Sequence, residues 1–108
     1  MSQENIQHYD SKVESEIVEI SKKIISGEIE LLVGCRQLNP FRFKTKKFQE
    51  ILLPISGIVS ETDDCLLGDE RFGSSSDFLL RMDKERDEYL RRVKSIIIGT
   101  CQAIVNES

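Results

Sequence analysis

The chain has 108 residues, 39% of them hydrophobic and 31% charged, with a formal net charge of −4 and no Trp. That length allows one domain with a single modest core, built here mainly from Ile, Leu and Val, and the acidic balance argues against a protein that binds nucleic acid by neutralising phosphates. Cys35, Cys65 and Cys101 are far apart and form no CxxC pair or Cys/His cluster, so no metal and no cofactor is expected, and reduced thiols fit a cytoplasmic protein.

Residues 1–9 are polar and are expected to be disordered. They do not resemble a signal peptide, and the uncharged runs 51–60 and 95–106 are too short to span a bilayer, so no membrane association is expected. From about Asp10 a helix is signalled by Val13, Ile17, Ile20 and Ile24 at steps of 4, 3 and 4. Asp10 or Ser11 is the expected N-cap and Gly27 the C-cap. A second helix is expected over 28–38, with Ile29, Leu32, Val33 and Cys35 as its apolar side and Asn39-Pro40 as its stop. Gly34 inside it marks either a close helix approach or a break.

Between positions 36 and 47 lie Arg36, Arg42, Lys44, Lys46 and Lys47, with no acid among them and Phe41, Phe43 and Phe48 interleaved. A basic and aromatic stretch is one form of nucleic-acid surface. Here the phenylalanines are expected to be core anchors, and no nucleic-acid partner is expected. A short third helix over 46–53 is expected to close at Pro54.

The stretch 51–72 starts apolar, turns acidic at Glu61 and carries Pro54, Gly57 and Gly68, so an irregular segment is expected over about 54–75, with 55–60 as a short strand or extended crossing. Cys65-Leu66-Leu67 is expected to return to the core. The last and longest helix is predicted over 76–106. Ser74 and Asp77 suggest a capping box, Asp87–Arg91 and Glu88–Arg92 are candidate i,i+4 pairs, and Met82, Tyr89, Val93, Ile96, Ile97, Thr100, Cys101 and Ile104 form the expected inward stripe. The fold class is therefore mainly α: a single-domain bundle of three to four helices with a long C-terminal helix and an irregular central segment.

No catalytic motif emerges. The only histidine, His8, lies in the polar N-terminal stretch, so a nucleophilic triad lacks its base, and no phosphate-binding glycine loop occurs. Small all-helical nucleotide pyrophosphohydrolases hold magnesium with E-x-x-E and E-x-x-D carboxylates, and Glu16/Glu19, Glu85/Glu88 and Glu61/Asp64 match those spacings, which glutamate-rich helices also produce by chance. The acidic segment has two readings. Glu61, Asp63, Asp64, Asp69 and Glu70 are either solvated turn residues or, flanked by Ile58, Val59, Leu66 and Leu67, a recognition surface for a cationic partner.

Residues 25–38, Ile-Ser-Gly-Glu-Ile-Glu-Leu-Leu-Val-Gly-Cys-Arg-Gln-Leu, with Ser-Glu-Thr-Asp at 60–63, Gly68 and Cys101, resemble a group of small bacterial proteins. In that group a Gly-Glu-Ile helix carrying an Arg precedes a central Ser-Glu-Thr-Asp element and a long C-terminal helix. In size and acidity the chain also resembles immunity proteins, the cytoplasmic inhibitors that protect bacteria from toxins delivered by neighbours, contact-dependent inhibition toxins included. The resemblance implies a non-enzymatic, stoichiometric inhibitor of a basic toxin domain, such as a cationic nuclease, with 60–63 as binding edge or as fold-defining turn. The alternatives are a magnesium-dependent nucleotide hydrolase and a non-enzymatic helical interaction module.

Overall fold

The computed structural model describes the backbone over residues 2–65 and 68–108 and the side chains over 11–65 and 70–108. Four helices follow one another: α1 (Ser2–Ser26), α2 (Leu31–Leu38), α3 (Leu53–Glu61) and α4 (Ser76–Glu107), with 3-10 turns at Asn39–Phe43 and Gly68–Arg71. No strand occurs among the described residues. This is the mainly α bundle with a long C-terminal helix that the apolar periodicities predict.

α1 puts Val13, Ile17 and Ile24 into the core and half-buries Ile20. It extends back to Ser2, past the expected cap at Asp10 or Ser11. Its C-terminal end falls where expected. Gly27 takes φ 85°, a left-handed conformation free of Cβ strain, and the N–H groups of Gly27 and Glu28 donate to the carbonyls of Ile24 and Lys23. That turn consumes residues 27–30, so α2 starts at Leu31 and not at position 28. Gly34 does not break α2. A Cβ there would stand 2.5 Å from Ile24 Cδ1, so this glycine lets α2 lie against α1 at close range.

The centre of the chain corrects two expectations. Residues 46–52 form turns and not a helix, and the stretch expected to be extended is helical: α3 spans it, with Pro54 in its first turn. Proline lacks an N–H and has φ preset near the helical value, both harmless in a first turn whose N–H groups have no helical partner. Gly57 costs about 1 kcal/mol in a helix interior. Burying Ile55 and Ile58, one turn apart, outweighs it, because each large aliphatic contributes about 1.5–3 kcal/mol. The irregular segment thus shrinks to 62–75. Of the three phenylalanines expected as anchors, Phe48 is fully buried, Phe41 is half-buried and Phe43 is 73% exposed.

α4 is capped by Ser75, whose Oγ accepts the Phe78 N–H at 3.2 Å, one residue later than expected. Ile97, Thr100, Cys101 and Ile104 are buried and Met82, Tyr89 and Val93 half-buried, but Ile96 faces solvent at 47% exposure. A helix covered on one side cannot bury three consecutive isoleucines, because each step turns about 100°. The expected Asp87–Arg91 and Glu88–Arg92 pairs do not occur. Instead Arg86 lies 3.6 Å from Asp83 and 3.3 Å from Asp87.

Ser108 lies beside Ser11 and Glu14, and Cys101 lies against the buried Ser21, so α1 and α4 run antiparallel. α2 and α3 close the other side, with Leu32, Cys35, Leu38, Phe48 and Leu52 completing the core. The radius of gyration, 15.6 Å, exceeds the roughly 13 Å of a compact chain of this length. The two long helices are the reason: α4 alone, 32 residues, is about 48 Å long. Its N-terminal half runs on beyond the end of α1 and meets α2, the end of α3 and the turn at Gly68–Arg71.

Candidate functional site: an acidic cleft at the end of α3

The site begins with an arginine on the inward side of α2. Leu32, Cys35 and Arg36 stand at i, i+3 and i+4, so Arg36 shares the buried face of its helix. Its guanidinium donates to the carbonyls of Thr62 at 2.9 Å and Cys65 at 2.6 Å, and its other nitrogen pairs with Glu70 at 3.2 Å. These are charge-assisted hydrogen bonds to carbonyls just past the C-terminal end of α3, where the Thr62 carbonyl also accepts the Cys65 N–H at 3.1 Å. Arg36 therefore closes the C-terminal end of α3 and holds the following turn in place.

Thr62, buried at 3%, locks the same corner: its hydroxyl donates to the Ile58 carbonyl at 2.7 Å. The Ser-Glu-Thr-Asp element is thus two-sided. Thr62 points in and builds the turn, while Glu61, Asp63 and Asp64 point out and are exposed. None of these three makes a salt bridge among the described residues. They sit at the negative pole of α3, where each carboxylate is disfavoured by about 0.3–1 kcal/mol at low ionic strength.

The other two carboxylates of the segment are placed differently. Glu70 is exposed but engaged by Arg36. Asp69 belongs to the turn at Gly68–Arg71, and its side chain lies outside the described residues, as do Leu66, Leu67 and the His8 side chain. Ile58 is buried and Val59 half-buried, so neither forms the apolar centre expected between the acids. That centre comes from α4: Asp64, Phe78, Arg81, Met82 and Glu85 line a cleft of about 280 Å³. Phe78 is 45% exposed there. Its place was not legible from the sequence beyond the apolar character of 78–80.

The cleft wall is held by a second arginine. Arg71 makes a bidentate pair with Asp83, at 2.6 and 2.8 Å, tying the turn to the second and third turns of α4. This hydrogen bonding holds the Asp83 carboxyl below its ordinary range and raises Arg71. Nearby, burial and then the Asp64 carboxylate push the Cys65 thiol up. Burial, and after it Glu61, raises Tyr89. In the core, burial drives Cys35 to about 12 and Cys101 to about 11, so both thiols are protonated at neutral pH.

The carboxylate pairs with metal-like spacing do not converge. Glu16, Glu19, Glu85 and Glu88 are exposed, and among the described residues no three His, Cys, Asp or Glu side chains stand close enough to hold one metal ion. No described helix is long and apolar enough to cross a membrane. Comparison with known protein families, curated proteins and solved structures finds no match.

Proposed function

We propose that this protein is an immunity protein: a cytoplasmic, non-enzymatic inhibitor that binds a bacterial toxin domain, a cationic nuclease by preference, through the acidic end of α3. The observation that carries the reading is the outward set Glu61, Asp63 and Asp64, without a salt bridge among the described residues and placed against the helix dipole. Carboxylates that oppose local stability have their favourable interactions elsewhere, and a basic cleft supplies them. Phe78 and Met82 beside Asp64 add apolar area to such a contact. Complementary charge speeds encounter, and apolar burial slows release.

The test is protection of cells that express a basic toxin domain encoded directly upstream of this gene, together with the affinity of the purified pair. Reversing Asp63 and Asp64 to Lys leaves the fold intact, since exposed turn substitutions change stability by about 0.5 kcal/mol or less. Each close interfacial charge pair couples by about 1.5 kcal/mol or more, so the double reversal weakens binding at least about a hundredfold, less so at high salt. Glu16→Lys with Glu19→Lys on α1 is the control. A loop variant that folds and protects as well as wild type overturns the reading.

A further inference from the structure

The basic turn after α2 has no role in the site above. Arg42, Phe43 and Lys44 project from the end of the turn Asn39–Phe43. Phe43 is 73% exposed, and the Arg42 guanidinium lies 4.2 Å from its ring centroid. Arg42 Nε is shielded from solvent without a hydrogen-bond partner, so part of the desolvation that an ion pair requires has already occurred. Lys44 and Lys46 are exposed and form no salt bridge among the described residues, whereas Lys47 is engaged by Glu14 at 3.9 Å. The result is a knob: an aromatic ring flanked by cations, stiffened by its own cation–π contact.

The acidic cleft is its counterpart. There Asp64 and Glu85 flank Phe78 and Met82, with Glu61 and Asp63 near Asp64 in sequence and Arg81 the one cation of the lining among the described residues. The knob belongs to the turn after α2, and the cleft to the loop after α3 and the first turns of α4, so each copy carries two separate patches of complementary charge. We propose that the knob of one copy docks into the cleft of a second copy, Phe43 entering between Phe78 and Met82 while Arg42 and Lys44 face Asp64 and Glu85.

Because two different patches meet, the contact is head-to-tail and can be continued by further copies. It is small beside the roughly 1,200–2,000 Å² of a stable interface, so association is weak, concentration-dependent and salt-sensitive. The same cleft serves the toxin in the reading above, so self-association and inhibition exclude one another. The inference does not depend on that reading, because it uses only surfaces of this chain.

Sedimentation velocity over a concentration series tests it. Wild type exceeds its 12.4 kDa monomer mass as concentration rises at low salt and returns to it at high salt. Phe43→Ala with Lys44→Glu removes the knob and leaves the cleft. Asp64→Lys with Glu85→Lys reverses the cleft and leaves the knob. Each variant, its helicity checked by circular dichroism, associates at least about a hundredfold more weakly than wild type. An equimolar mixture recovers a capped one-to-one dimer, because one partner keeps the knob and the other the cleft. The proposal is overturned if wild type stays monomeric throughout, if association ignores salt, if either variant associates like wild type, or if the mixture remains monomeric. Toxin protection separates the two readings: the knob variant retains it and the cleft variant loses it if the immunity reading holds, whereas equal protection by both defeats that reading alone.

Discussion

Arg36 joins three segments with one side chain: α2 carries it, the C-cap of α3 and the following loop supply its carbonyl acceptors, and Glu70 supplies the counter-charge. Arg36→Met keeps most of the aliphatic stem and removes the donors. It should destabilise the fold by about 1.5–3 kcal/mol, the range for hydrogen bonds to charged groups, measured by urea denaturation. Arg36→Lys restores a charge without the fork and should recover only part of that loss. Asp83 makes a pH-dependent contribution. Its native pKa is lowered, chiefly by the Arg71 hydrogen bonds, from an ordinary value of 3.8. Its stabilisation is therefore fully present above that value and disappears as pH falls through the lower native one. Asp83→Asn should melt below wild type at pH 6, and the gap should narrow below about pH 4 as wild type becomes protonated.

At the scale of the element, two glycines in helix interiors have opposite roles. Gly34 faces α1, and an alanine methyl there would collide with Ile24 Cγ1 and Cδ1. Overpacking of this kind costs typically about 1–3 kcal/mol, against a gain of about 1 kcal/mol in helix propensity. Gly57 in α3 has nothing within 4 Å of a Cβ, so only the propensity gain applies. Gly34→Ala should leave the protein less stable by up to about 2 kcal/mol, and Gly57→Ala should stabilise it by about 0.5–1 kcal/mol. Denaturant midpoints measured side by side check both signs. α3 also shows that one proline is compatible with either end of a helix. Pro54 looks like a terminator when only the residues before it are considered, whereas Ile55 and Ile58 behind it recruit it as a helix start.

For the molecule as a whole, cohesion is uneven along α4. Its C-terminal half packs Ile97, Cys101 and Ile104 against α1, while its first turns carry Phe78 at 45% and Leu80 at 72% exposure. Amide hydrogen exchange should be slowest over 97–104, with opening free energies near that of global unfolding, and faster by orders of magnitude over 77–83. Uniform protection along the helix would contradict this division. The looser end is also the one that presents the acidic cleft.

The sequence by itself determined the helical class, the inward face of α1, that of the second half of α4 apart from Ile96, and the turn at Gly27, because apolar spacing and glycine conformation act within a few residues. It also marked Glu61, Asp63, Asp64, Asp69 and Glu70 as one acidic group, without distinguishing those that face out from the one that Arg36 engages. Tertiary structure decided the rest. It turned Arg36 from one member of a basic run into the clamp of α3, since its acceptors lie 26 and 29 residues away. It engaged Glu70, buried Ile58, exposed Phe43 and Ile96, and brought Phe78 to Asp64. Each of those outcomes depends on which distant surface covers a side chain, and local pattern carries no information about coverage.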